Sequence, residues 1–312
     1  MKPPADLSRL KLVDLEVRPS KVDTKLLGRP WRRGESFRRF MDSLPDVLGA
    51  KALKEVAQAI VEARAKGAPV IMAMGAHVIK VGLSPVVIDA MSRGIITAVV
   101  MNGAGMIHDV EMALAGHTSE DVAAALADGS FGTARQTGLF INSAVAEAGA
   151  ELGLGEAVGR AVVERGPKFA ELSILGAGVR MGVGVMVHVA LGSDIIHMHP
   201  SFDPAATARA SHLDFRKLIT EVGGLRGGVY LNVGSAVVLP EVFLKALSAA
   251  RNLGMDAHGF TTVNMDMIQH YRPMTNVVHR PVLTGGKGLA IIGHHEINIP
   301  LLLAMVTELL QG

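Results

Sequence analysis

Paired histidines are the first residues of this sequence whose type and spacing suggest chemistry. The chain of 312 residues has 12 histidines, and these four form two pairs: His197, His199, His294 and His295. Imidazole nitrogens bind Zn²⁺, and a catalytic zinc site leaves one position open for water. The four residues define one hypothesis, a hydrolase or deaminase that uses zinc or another divalent metal. Histidine pairs in loops also serve simply as hydrogen-bonding groups, so both interpretations stay open at this point.

The segment NGAGMIHDVE, residues 102–111, is a second candidate. A predicted strand runs through glycines into a predicted helix, where free backbone N–H groups and the helix dipole favour an anion such as a phosphate. The spacing matches neither the dinucleotide fingerprint nor the P-loop, so a tight turn that needs glycine explains it equally well. The residues concerned are Asn102, Gly103, Ala104, Gly105, His108, Asp109 and Glu111.

Lys80 lies in the otherwise apolar segment HVIKVGL, three residues after His77. A lysine there could pair with a phosphate or carboxylate, or act as an amine nucleophile if it is desolvated. A surface lysine is the alternative. The two side chains share a face if this segment is helical.

The elements that must position these residues are predicted to alternate between strands and helices. Strand-like apolar runs occur at 69–74, 95–101, 183–194, 228–235, 257–266 and 288–296, with helical periodicity between them. Such alternation predicts a single α/β domain with a mostly parallel sheet and helices on both faces. Ligands bind at the carboxyl ends of such strands, so we expect the loops there to form one site. The sequence TSED predicts a helix start with Thr118 as N-cap and Asp121 reaching back.

Composition excludes several classes of protein. Hydrophobic residues make up 49% and charged residues 19%, which excludes a disordered chain. A net charge of +2 argues against a strongly electrostatic nucleic-acid binder, and the absence of cysteine excludes a thiolate nucleophile. The apolar runs are shorter than the roughly 18 residues of a membrane span. The first residues lack the apolar core of a signal peptide, so we expect a cytoplasmic protein with no membrane or nucleic-acid partner.

The N-terminal region differs from the rest of the chain. Residues 1–48 contain 11 of the 31 basic residues and the only tryptophan. We predict an arm over 1–48 and an α/β domain over 49–312. The arm either packs on a neighbouring subunit, anchored by Trp31, Phe37 and Phe40, or forms a basic surface for an acidic partner.

Several segments, taken in order, resemble the deoxyhypusine synthase family and its bacterial relatives. They are GAHVIKVGLSPVVIDAMSRG, TAVVMNGAGMIHDVEMAL, TSEDV, VHVALGSD, GGVYLNVGS and GLAIIGHHEINIPLL, between about residues 66 and 305. The resemblance implies a Rossmann-like α/β fold, a homotetramer and NAD bound at a subunit interface. It also implies oxidation of an amine such as spermidine, with aminobutyl transfer through a lysine imine. The implied NAD contacts are His77, Lys80, Asn102, Gly103, Ala104, Gly105, Ser193, Asp194 and His294.

The sequence departs from the family at the lysine that forms the imine. The family's Gly-Ser-Asp-Ser-Gly loop and Trp-Gly-Lys stretch are both absent, and Arg280 or Pro281 aligns with the lysine. Lys287 in GGK could replace it only if the loop is shorter here.

The leading hypothesis is therefore an NAD-dependent enzyme that acts on an amine or polyamine-type substrate, without being a true deoxyhypusine synthase. The catalytic candidates are Lys287, His108 and His295. Asp109 and Glu111 are expected to hold a cationic substrate. The alternatives are the metal-dependent enzyme above and an oligomeric ligand-binding protein without catalysis.

Overall fold

The computed structural model describes residues 2–310 and contains one sheet of six parallel strands. The strands are β1 (Val70–Met74), β2 (Ala98–Asn102), β3 (Gly184–His188), β4 (Val229–Val233), β5 (Phe260–Asp266) and β6 (Gly286–Ile292). Their order across the sheet is β3-β2-β1-β4-β5-β6. The predicted α/β fold with a parallel sheet is confirmed.

Helices cover the sheet on both faces. In chain order they are α1 (Phe37–Ser43), α2 (Leu48–Ala65), α3 (His77–Lys80), α4 (Ser84–Ser92), α5 (Gly103–Ala115), α6 (Val122–Asp128), α7 (Arg135–Glu147), α8 (Leu154–Arg165), α9 (Ile174–Met181), α10 (Pro204–Gly223), α11 (Val238–Asn252), α12 (Tyr271–Pro273) and α13 (His295–Leu310). Helix α12 continues into a π-helical segment, Met274–His279. Among residues 2–310, no helix combines the length and apolar character that crossing a membrane requires.

The central strands are buried because both of their faces are covered. All five residues of β1 and of β4 are buried, as expected for a parallel sheet between two layers of helices. Met72 belongs to the core that includes α2 and α13, whereas the neighbouring Ile71 belongs to the core that includes α10 and α11. Alternate residues of one strand thus hold both helical layers to the sheet.

The strand order reverses between β1 and β4, so the turns after these strands diverge. The Gly75 amide donates to the Val233 oxygen over 2.9 Å. A Cβ on Gly75 would lie 2.2 Å from the Gly234 oxygen, so a side chain there would force the two turns apart. In open parallel sheets, ligands bind in the crevice above such a reversal.

The N-terminal region has little regular structure. Between residue 2 and the start of α1, the structure contains only two short 3₁₀ turns, Leu7–Arg9 and Thr24–Leu26, and almost all side chains are exposed. Trp31 contacts Phe40 edge-on, with ring centroids 5.9 Å apart. The assignment of 1–48 as an arm that packs on another subunit stays a prediction.

Candidate functional site

A cavity of about 260 Å³ lies at the carboxyl ends of β1, β2 and β3. Six of the residues singled out from the sequence line it: Lys80, Ala104, His108, Glu111, Ser193 and Asp194. Two other cavities are larger. One of about 540 Å³ lies between α8, α9 and α10, and one of about 740 Å³ lies beside α2 and the start of β6. We place the candidate site at the strand ends because the loops of a parallel sheet converge there.

Three residues form a hydrogen-bonded relay in the wall of this cavity. The Thr118 hydroxyl donates to Glu111 Oε2, so its oxygen must accept from His108 Nδ1, which lies 2.5 Å away. The Thr137 hydroxyl donates to Glu111 Oε1 over 3.2 Å. Burial raises the pKa of Glu111, but the neighbouring His108 and the hydrogen bonds from Thr118 and Thr137 outweigh it and lower the pKa below its usual value. Glu111 is therefore an ionised carboxylate at neutral pH.

The relay corrects one expectation from the sequence. Thr118 does not cap a helix. Helix α6 begins at Val122, and the Asp121 carboxylate caps it by accepting from the amides of Ala123 and Ala124. The capping function falls to Asp121, which leaves the Thr118 hydroxyl free to connect His108 with Glu111. The sequence assigned Thr118 only to a helix cap and did not single out Thr137, because a hydroxyl group gives no sequence signal for its contact with a distant carboxylate.

The carboxyl group of Asp194 lies against the first residue of α5. Its Oδ2 accepts from the Ala190 amide over 3.1 Å, and a Cβ on Gly103 would lie 2.2 Å from the same oxygen. Asn102 caps the helix by accepting from the Gly105 amide over 2.9 Å. Burial raises the pKa of Asp194. The NGAG turn is thus already supplied with a carboxyl group of the chain, and a phosphate there would lie against it.

Asp109 and Lys287 are not brought to this cavity. Asp109 is fully buried and accepts from the Ser173 hydroxyl and from the amides of Ile174 and Leu175, which fixes the start of α9. Lys287 lies near the start of β6, at the opposite edge of the sheet, and its Nζ is 2.7 Å from Glu55. The Asp109 carboxyl group therefore holds α9 in place and does not face the cavity. Lys287 is far from the other catalytic candidates, His108 and His295.

The four histidines of the metal hypothesis do not form a cluster. His197 Nδ1 accepts from the Gly192 amide, His199 bonds to Ser201, and His294 is largely exposed beside Glu296. Between residues 2 and 310, no group of three or more His, Cys, Asp or Glu side chains is arranged to hold a metal ion.

His295 instead pairs with His77 above β1 and β4. Their Nδ1 atoms lie 2.9 Å apart, and His295 Nε2 lies 3.1 Å from the Met265 backbone oxygen. Helix α3 carries both His77 and Lys80, so it joins this pair to the cavity. The sequence singled out each histidine separately but gave no sign of the contact, which spans 218 positions.

The strand order is the one found in dinucleotide-binding Rossmann folds. No protein-family model matches the sequence, and no curated protein matches it. Solved structures share the fold.

Three of them are informative. AgrE, solved in a ternary complex with ornithine and NAD⁺, has a TM-score of 0.53 at 14% identity over 90% of this chain and 34% of its own. ArgZ, an arginine dihydrolase from cyanobacteria, has a TM-score of 0.53 at 17% identity, over 82% of this chain and 31% of its own. A protein from Entamoeba histolytica, provisionally named a deoxyhypusine synthase, has a TM-score of 0.53 at 8% identity, over 90% of this chain and 96% of its own. This chain thus spans about a third of ArgZ and AgrE, and the likeness to deoxyhypusine synthase is one of fold.

Proposed function

We propose that this chain is an enzyme that acts on a small amine or basic amino acid with NAD as cofactor. The observation that carries the proposal is the cavity at the ends of β1–β3. Glu111, Glu120 and Asp194 all line it, together with His108. Glu111 is ionised, and His108 donates from Nδ1 to Thr118, so the neutral form of this ring has an acceptor lone pair on Nε2. Such a set of acceptors suits an ammonium group.

The site suits a substrate with two polar ends. An ammonium group in the cavity would anchor one end, and α3 leads from there past Lys80 to the His77–His295 pair. The reacting end would lie above β1 and β4. Diamines and basic amino acids have this shape. Ornithine and NAD⁺ are bound in the AgrE structure, which supports the same substrate class for the shared fold.

Two features of the chain bear on NAD. The turn after β2 does not fit a pyrophosphate, because Asp194 lies against it. We place NAD instead above the reversal between β1 and β4, the position that dinucleotides take in this fold, where the exposed Lys80 of α3, the helix that follows β1, would supply a cation. When bound there, NAD would accept hydride from the carbon that carries nitrogen. A homo-oligomer with NAD near a subunit interface is part of the same proposal and derives from the family resemblance.

Calorimetric titration of NAD into metal-stripped protein tests the proposal. We expect micromolar binding that Lys80→Ala weakens. Lys51→Ala is the matched control, because Lys51 is an exposed lysine of α2 outside the site. Absence of NAD binding to the intact protein would contradict the cofactor assignment.

Turnover is measured next as NADH formation from diamines, polyamines, ornithine and arginine. We expect Glu111→Gln and His108→Ala to raise KM, because both remove acceptors for the ammonium group. His258→Ala is the control for the second variant, since His258 lies before the start of β5, outside the cavity, and bonds only to Thr284 among the residues described. Binding of amines without any turnover would favour the non-catalytic alternative.

A further inference from the structure

The backbone fixes the ring of His295 at the point where the sheet reverses. His295 Nε2 lies 3.1 Å from the Met265 oxygen at the end of β5. A Cβ on Gly234, which follows β4, would lie 2.7 Å from His295 Cε1, so glycine is needed to leave room for the ring. His295 in turn contacts His77, with the two rings inclined at 62°. Both strands β4 and β5 therefore determine where His77 is held.

These contacts determine which nitrogen of each ring carries hydrogen. A carbonyl oxygen only accepts, so His295 Nε2 must carry a hydrogen. The Nδ1 atom of a neutral His295 then accepts, and His77 Nδ1, 2.9 Å away, must be the donor. A neutral His77 consequently has its free lone pair on Nε2.

The opposite direction of this hydrogen bond, from His295 Nδ1 to His77 Nδ1, would need hydrogens on both nitrogens of His295 and therefore a charged ring. That ring is 1% exposed, and within residues 2–310 its hydrogen bonds go to Met265 and His77 and to no carboxylate. A buried charge without such a partner is costly. The first arrangement is therefore the stable one.

The surroundings keep His77 neutral. Burial lowers its pKa below the usual value, and the positive charge of Lys80 acts in the same direction. Glu296 of α13 and Asp266 at the end of β5 oppose this shift without reversing it. His77 is half-buried, so part of this residue is exposed in the form that can take up a proton.

We propose that His77 is the general base of this site and that His295 is its positioning residue. His77 Nε2 takes a proton from the reacting ammonium group: the substrate N–H bond breaks, its electron pair stays on the substrate nitrogen, and an N–H bond forms on His77. The new positive charge is stabilised by the hydrogen bond from His77 Nδ1 to His295. The nature of the proton donor rests on the proposed function, whereas the orientation of the two rings does not.

Nitrogen NMR of protein labelled at histidine reads the hydrogen position on each ring directly. His77→Gln and His295→Gln assign the two sets of signals by their disappearance. We expect His77 to carry its hydrogen on Nδ1 and His295 on Nε2. A neutral His77 with its hydrogen on Nε2 would overturn the proposal.

Substitution of His295 separates positioning from packing. Glutamine can accept from His77 through its amide oxygen and donate to Met265 through its amide nitrogen, whereas leucine can do neither. We expect the His77 tautomer to survive in His295→Gln and to change in His295→Leu. An unchanged tautomer in a folded His295→Leu protein would overturn the role of His295. If the leucine variant does not fold, the wild-type and glutamine spectra still decide.

Kinetics then test the catalytic role. With an amine substrate that is turned over, we expect His77→Gln to lower kcat about 10²- to 10⁴-fold with little change in KM. His295→Leu should alter the pH profile of kcat/KM, and His295→Gln should restore it. Unchanged kcat in His77→Gln would overturn the base assignment. Failure of NAD to bind, with the tautomers as expected, would contradict the proposed function alone.

Discussion

The carboxylate of Asp194 lies directly against the backbone of Gly103, at the first residue of α5. Negative charge is favourable at a helix N-terminus, because the helix dipole is positive there. The loop after β3 thereby places a carboxyl group of the chain at the start of the helix after β2. The two loops are locked together at the rim of the cavity, and the absence of a side chain at residue 103 makes the contact possible.

Gly103→Ala should therefore disturb the site. The new methyl group would lie 2.2 Å from Asp194 Oδ2, so the carboxylate must move. Overpacking of this kind costs about 1–3 kcal/mol, which urea unfolding measures. Gly49→Ala is the control, since a Cβ there meets open space in α2. Equal stability of both variants would contradict the contact.

Thr118→Val tests the relay of His108, Thr118 and Glu111. Valine keeps the shape of threonine but removes the hydroxyl that donates to Glu111. We expect the pKa of Glu111 to rise, because burial then acts against fewer hydrogen bonds. Carboxyl NMR titration measures it. Thr133→Val, which removes a hydroxyl bonded to Ser130, should leave Glu111 unchanged.

Tyr230→Phe should stabilise the protein. Tyr230 is fully buried and stacks on Phe243, and its hydroxyl has no hydrogen-bond partner among the residues described. Removing an unsatisfied buried hydroxyl relieves a desolvation cost of about 1–3 kcal/mol. Tyr271→Phe is the matched control because Tyr271 is 75% exposed. A fall in the melting temperature of Tyr230→Phe alone would show that the hydroxyl is satisfied.

Asp214 should give the protein a distinctive pH dependence. Its Oδ2 accepts from the Gly155 and Val187 amides, over 2.8 Å each, and ties α8 to β3. Burial raises its pKa to about 6, above the value of 3.8 for a free side chain. The folded state thus keeps a proton that the unfolded state releases, so this contribution to stability is present below about pH 4 and lost as the pH rises to about 6.

Asp214→Asn isolates this contribution. Urea unfolding of both proteins between pH 4 and 7 gives the difference in unfolding free energy, wild type minus variant. We expect it to fall by about 2 kcal/mol between pH 4 and 7, since the Asp214 carboxyl of the unfolded chain is already partly ionised at pH 4. The similar contribution of Asp109, whose pKa burial also raises to about 6, is present in both proteins and cancels. A difference that grows with pH would refute the prediction.

The sequence predicted the frame of the molecule better than its contacts. The runs 69–74 and 95–101 correspond to β1 and β2, which are Val70–Met74 and Ala98–Asn102. Because the carboxyl ends of parallel strands share one edge, the loops after them could be grouped from sequence alone. In the structure, Lys80, His108 and Asp194 from these loops line one cavity.

Other relationships depend on tertiary contacts that no local pattern encodes. Lys287 follows two glycines that resemble a loop end, yet it lies at the start of β6 because that strand begins at Gly286. The pairing of His77 with His295 depends on how α13 packs over the end of β4. Periodicity predicts the face of an element that is buried, but it does not predict which distant residue that face meets.

The separation of His77 from His295 along the chain has a consequence for folding. A contact between residues 218 positions apart closes a long loop, and its entropy cost is recovered only when both segments dock on the sheet. His295 is the first residue of α13, which packs against α2. We expect the histidine pair to form among the last events of folding, so a collapsed intermediate with its strands in place would still lack the pair.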